Sequence, residues 1–141
     1  MLKYLCALLY YHEISRSEII GVLINKFSYT TKEAIDSFDK LINEFRLNKI
    51  IRDESVDTTY EKLVEEANER IVQRDNRNDL RIGQPDIIII GGFLKLKVNS
   101  IHTGDEGFQK TCEELKLNVI PLPKRDITKE NEIKKWMKRR K

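Results

Sequence analysis

Apolar positions recur along the chain at two spacings, and the elements they predict alternate. Leu2, Leu5, Leu8 and Leu9 fall on one helical face, so Met1 to about Tyr11 reads as an amphipathic helix without a visible cap. Ser15 followed by Glu18 is a capping-box pattern, ahead of Ile19, Ile20, Leu23 and Ile24 on one face as far as about Lys26. Thr30 and Glu33 repeat that pattern before the cleanest stripe of the chain, Ala34, Ile35, Phe38, Leu41, Ile42 and Phe45. Lys49 to Arg52 reads as a short strand. Thr58 with Glu61 caps a further helix carrying Tyr60, Leu63, Val64, Ala67, Ile71 and Val72. Arg74 to Gly83 is rich in Asn, Asp and Arg, the composition of a surface loop.

The stretch from Pro85 to Phe108 carries opposed signals. Four consecutive isoleucines, Ile87 to Ile90, favour a buried strand on propensity. Pro85 suits the first turn of a helix, and Asp86 beside it suits the positive end of the helix dipole. We assign a helix from Pro85 to about Lys95, in which Gly91 and Gly92 allow close packing against a neighbour. Ser100 to Thr103 is a short strand, Gly107 to about Leu115 a helix, and Asn118 to Leu122 a strand closed by Pro121 and Pro123. This alternation predicts an α/β layered domain with parallel strands over residues 1–123, followed by a basic C-terminal tail over 124–141.

Composition narrows the class. A chain of 141 residues suits one compact domain, and 40% apolar with 35% charged residues is ordinary for a soluble globular protein. The net charge of +3 is a property of the tail, because the last eight residues, KKWMKRRK, hold six Lys or Arg. Two cysteines, Cys6 and Cys112, exclude a disulfide framework and fit a reducing cytosol. The opening MLKYLCALLYY has one positive residue, Lys3, and no small-residue cleavage site. It is too short to cross a bilayer, so no membrane role is expected.

Ile101-His102-Thr103-Gly104-Asp105-Glu106-Gly107-Phe108 resembles the strand followed by T-x-D-x-x-F of the PIN domain nucleases, a family that includes the toxins of toxin and antitoxin pairs. Glu114 to Ile120 is similar to that family's closing helix and strand. Asp86 lies 19 residues before Asp105, the interval at which the family places its third and fourth acids, and Ser15 to Ile20 looks like its S-x-x-x-E helix start, with Glu18 as second acid. The resemblance runs from about residue 12 to residue 123. The family's first central strand and first acid have no counterpart, the earliest acid being Glu13. The resemblance therefore implies a three-layer helix/sheet/helix fold with a short parallel sheet missing its first central strand, or a start upstream of Met1. A sheet without its middle strand needs covering by another segment or chain, so a homo-oligomer is expected.

The chemistry implied is that of a metal-dependent endoribonuclease in which Glu18, Asp86 and Asp105 hold Mg²⁺ or Mn²⁺. Carboxylates without His or Cys suit these hard cations, and a metal justifies crowding like charges. Taken one at a time, Glu18 is equally a capping carboxylate, Asp86 a helix-start acid and Asp105 a turn residue. Thr103 orients a ligand or closes a strand, and Glu106 adds a ligand or faces solvent. Structural roles are expected for His12 and His102. In the tail, Lys134, Lys135, Trp136, Lys138, Arg139 and Arg140 suit contact with phosphates and stacking on a base, or a solvated end. RNA as substrate and an antitoxin-like partner follow from the resemblance alone. Two other classes stay open. One is a PIN-like module that binds RNA or protein without catalysis. The other is a winged-helix DNA-binding regulator, from three helices and a strand in residues 1–52; its recognition helix, Thr31 to Leu47, carries Glu33, Asp36, Asp39 and Glu44 against few basic residues.

Overall fold

A computed structural model describes residues 9–121 and 127–139. The chain is a mixed α/β fold, mostly helical, with two separate two-stranded parallel sheets. Strand β1 (Tyr10–His12) pairs with β2 (Asn48–Ile50), Tyr10 opposite Asn48 and His12 opposite Ile50. Strand β3 (Ile101–Thr103) pairs with β4 (Val119–Pro121), Ile101 opposite Val119.

The first element corrects the sequence expectation. Tyr10 and Tyr11 are extended, not helical, and the rest of the expected N-terminal helix, residues 1–8, lies outside the described residues. Three residues are too few to show a period-2 signal, whereas the leucine spacing just before them is helical. Helix α1 (Glu13–Phe27) then starts on His12, whose ring Nδ1 accepts a hydrogen bond from the Ile14 N–H at 3.2 Å. Ser15 is therefore not the cap, and Glu18 sits inside the helix and is no capping partner. With Tyr10–His12 extended, residues 10–50 form a strand-helix-helix-strand unit in place of the three helices of a winged helix.

Helix α2 (Thr31–Phe45) begins as its sequence says: Thr30 Oγ1 accepts from the Glu33 N–H at 3.1 Å, and the stripe buries Ala34 and Phe38. Tyr11 meets Phe38 edge to face, with ring centroids 5.5 Å apart, which fixes β1 against α2. Helix α3 (Glu54–Asp75) starts four residues before the Thr58–Glu61 pattern, because Asp53 Oδ1 accepts from both the N–H and the hydroxyl of Ser55. Glu61 is buried and serves a different partner, described below.

The stretch 74–83, expected as a surface loop, contains a single 3-10 turn (Asn78–Leu80) and buries Leu80 and Ile82. Its anchor is the buried Asn68 amide on α3, which donates to the Leu80 carbonyl at 2.9 Å and accepts from the Ile82 N–H at 3.3 Å. A polar segment is thereby held against the core, with two of its backbone groups paired to one side chain.

Helix α4 (Gln84–Leu96) contains all four isoleucines, and Pro85 in its first turn decides between the competing signals. Ile87, Ile89 and Ile90 are buried with Val64, Ile101, Phe108 and Cys112 in the main core. A Cβ on Gly91 would stand 3.0 Å from Glu61 Cγ, and one on Gly92 2.9 Å from His12 Cδ2, so both glycines serve the close packing expected of them. Helix α4 thus touches both sheets, His12 and Ile50 through Gly92 and Ile101 through its isoleucines. Helix α5 (Glu106–Glu114) follows β3 directly, and helix α6 (Ile127–Arg139) occupies most of the segment expected as a tail.

Candidate functional site

Asp86 stands in the first turn of α4, half-buried. Burial lifts its carboxyl above the usual carboxylate range, and the charges of Asp105 and Glu18 push it the same way. Three acids separated by up to 87 positions in the sequence therefore share one electrostatic neighbourhood. They arrive on three different elements: Glu18 on α1, Asp86 on α4, and Asp105 at the turn between β3 and α5.

Asp105 is held by a local framework. Its Oδ1 accepts from the Phe108 N–H at 2.8 Å as the N-cap of α5, and its own N–H donates to Thr103 Oγ1 at 3.2 Å. Thr103 thus orients the turn that presents Asp105. Glu106 goes elsewhere. The Arg77 guanidinium grips it through two hydrogen bonds, 2.7 and 3.0 Å, shares itself with Asp79, and holds the Glu106 carboxyl below its usual range. Cys112 lies in the core, and burial, with Glu113 and Asp86 adding charge, pushes its thiol up to about 12, so it is no nucleophile. Cys6 lies outside the described residues.

Among the described residues no three His, Cys, Asp or Glu side chains stand close enough to form a ready cage for a metal ion. The donors present are nevertheless the kind Mg²⁺ and Mn²⁺ take. These ions keep much of their water and need only one or two carboxylates, so Glu18, Asp86 and Asp105 fit them in donor chemistry. The like-charge repulsion on Asp86 is what a cation would relieve.

A second polar assembly, buried between β1, α3 and α4, is illegible in the sequence. Arg52 donates from Nε and Nη2 to Glu61 at 3.0 and 2.9 Å, and its N–H donates to Glu13 Oε1 at 3.1 Å. Lys95 Nζ donates to Asp57 Oδ1 at 2.7 Å, with Asp57 wholly enclosed. His12, also wholly enclosed, completes the group, whereas His102 is exposed. The partners here are 9 to 39 residues apart, beyond any spacing rule.

On α6, Lys134, Lys135, Trp136, Lys138 and Arg139 lie on a helix, and Arg140 is outside the described residues. Trp136, Lys134 and Lys138 line a cleft of about 970 Å³ with Lys26, Tyr29 and the acids Glu33 and Asp36. No helix among the described residues is long and apolar enough to cross a membrane. Comparison with protein-family models, with curated proteins and with solved structures finds no match to this chain.

Proposed function

We propose that the chain is a metal-dependent endoribonuclease of PIN type, in which Glu18, Asp86 and Asp105 hold Mg²⁺ or Mn²⁺ against an RNA phosphodiester. The observation that carries it is the convergence of charge on Asp86: the two acids that raise its carboxyl are the two that the sequence pattern pairs with it. A bound divalent ion supplies a water acidified for attack and a counter-charge for the phosphate. The protein's part is positional. Pro85 and the first turn of α4 set Asp86, Thr103 and the Phe108 N–H set Asp105, and α1 sets Glu18. The basic residues of α6, with Trp136, are assigned to the RNA strand.

On this assignment β1–β2 and β3–β4 flank the place of a missing central strand in a helix/sheet/helix stack. Among the described residues β1 pairs only with β2 and β3 only with β4, so each keeps one unpaired edge. Exposed parallel edges call for covering, and self-association is the covering proposed. Light scattering should give a mass that is a multiple of 16.7 kDa. A monomer mass that does not change with concentration contradicts it.

The activity is tested on a labelled single-stranded RNA. Cleavage should require Mg²⁺ or Mn²⁺, stop with a chelator, and be silenced by Asp105→Asn, which removes the charge but keeps an oxygen able to cap α5. Binding to RNA without cleavage points to a non-catalytic module. Sequence-specific binding to duplex DNA without cleavage points to a regulator and overturns the proposal.

A further inference from the structure

His12 is the one buried side-chain polar group among the described residues with an unpartnered atom: its Nε2 is enclosed and bonds to nothing. Its other nitrogen is committed, because Nδ1 accepts from the Ile14 N–H and so must carry no proton. The ring is pressed between β2 and α4, with Gly92 directly against its Cδ2 and Nε2 edge and Ile50 beside it. Every element around it contributes charge: Glu13 from α1, Arg52 from the turn after β2, Asp57 and Glu61 from α3, and Lys95 from α4. The helix that His12 starts rests on the core through Ile14, which is only partly buried. No residue of α1 is buried, although α1 carries Glu18.

We propose that His12 is a positioning residue for Glu18: its neutral Nδ1 caps α1, and a proton there breaks the cap and releases the first turns of α1 from the acid cluster. The chemistry is a single proton transfer from solvent to Nδ1. Once that nitrogen bears hydrogen it cannot accept from Ile14, and the Ile14 N–H loses its partner. The enclosed ring disfavours the charged form, with Lys95 opposing it too and Glu13, Asp57 and Glu61 favouring it less strongly. The folded chain therefore binds the proton more weakly than the unfolded chain. Stability from this group is complete above 6.5, the usual histidine value, and falls as pH drops below it.

The proposed link to cleavage rests on the metal-site assignment; the link to α1 does not, and one experiment separates them. Backbone amide exchange is followed in the full chain and in His12→Asn, which keeps a capping side chain but cannot titrate. The protection of residues 14–18 is expressed relative to that of α5. Between about pH 7.5 and about pH 5 the wild type should lose relative protection there, by up to about tenfold per pH unit, while His12→Asn stays flat. Protonation of the acid cluster lowers RNA cleavage in both proteins as pH drops, and cleavage by the wild type should fall more steeply than that by His12→Asn over the same range. Equal loss of protection in both proteins overturns the proposal. Flat protection in the wild type overturns it as well, and the expected loss of protection with identical cleavage profiles overturns the link to Glu18. Absence of cleavage in both proteins condemns the nuclease assignment and leaves the exchange result to decide the cap. If His12→Asn does not fold, the imidazole nitrogen shifts of the wild type decide: a proton on Nε2 is expected, and a proton on Nδ1 at neutral pH contradicts it.

Discussion

Replacing Lys95 with alanine is expected to cost about 3–5 kcal/mol of stability, among the largest single losses available in this chain. Asp57 is fully enclosed, and its carboxylate has the Lys95 ammonium at 2.7 Å and only a long contact, 3.3 Å, from the Asp53 N–H. Without Lys95 a buried charge remains with no direct cationic partner, the Arg52 guanidinium acting on it only from a distance. The cost lies in the orphaned partner and not in the pair as such, so removing both charges should be much milder. Chemical denaturation of Lys95→Ala, Asp57→Asn and the double variant Asp57→Asn/Lys95→Met should show the double recovering most of the loss. A loss below about 1 kcal/mol for Lys95→Ala, typical of a surface pair, contradicts the burial argument.

Asp86→Asn should move stability and activity in opposite directions. A carboxyl whose folded value lies above its usual 3.8 is more easily protonated in the folded chain than in the unfolded one. Its stabilising contribution is therefore present at low pH and lost as pH rises through the folded value; at neutral pH the charged group is a burden. Asparagine keeps the shape and removes the burden, so the melting temperature at neutral pH should rise. The gain should vanish at acid pH, where wild-type Asp86 is protonated, and shrink in Mg²⁺, which stabilises only the wild type. Metal-dependent cleavage should fall by at least about a hundredfold, since a direct ligand should matter no less than its supporting partners. A lowered melting temperature contradicts the repulsion on which the site is built, and a gain that persists unchanged with Mg²⁺ contradicts ion binding at Asp86.

The helices with local punctuation were legible in the sequence. Thr30 caps α2 as its pattern says, and Pro85 outweighs four β-branched neighbours at the start of α4. Strand β3 with the Asp105 turn also lies where the residues place it. The departures share a cause, which is that distant partners decide them. Tyr10–His12 is extended because β2, 38 residues on, pairs with it. Leu80 and Ile82 are buried because one amide on α3 reaches both their backbones. Glu61 is drawn from a capping box by Arg52. The candidate site follows the same division. The spacing of Glu18, Asp86 and Asp105 was readable, and so was the candidate status of Glu106, but not its capture by Arg77. A structural role for His12 was readable, but not which one, since nothing in its local sequence marks it as the cap of α1.

The central claim is that Glu18, Asp86 and Asp105 share one divalent ion, and Mn²⁺ added to isotopically labelled protein tests it most directly. Paramagnetic broadening should appear first and most strongly at the amides around residues 18, 86 and 105, saturate with a single ion, and reverse with excess Mg²⁺. Broadening centred elsewhere, for instance on Asp79 or Asp36, or none at these three positions, would contradict it.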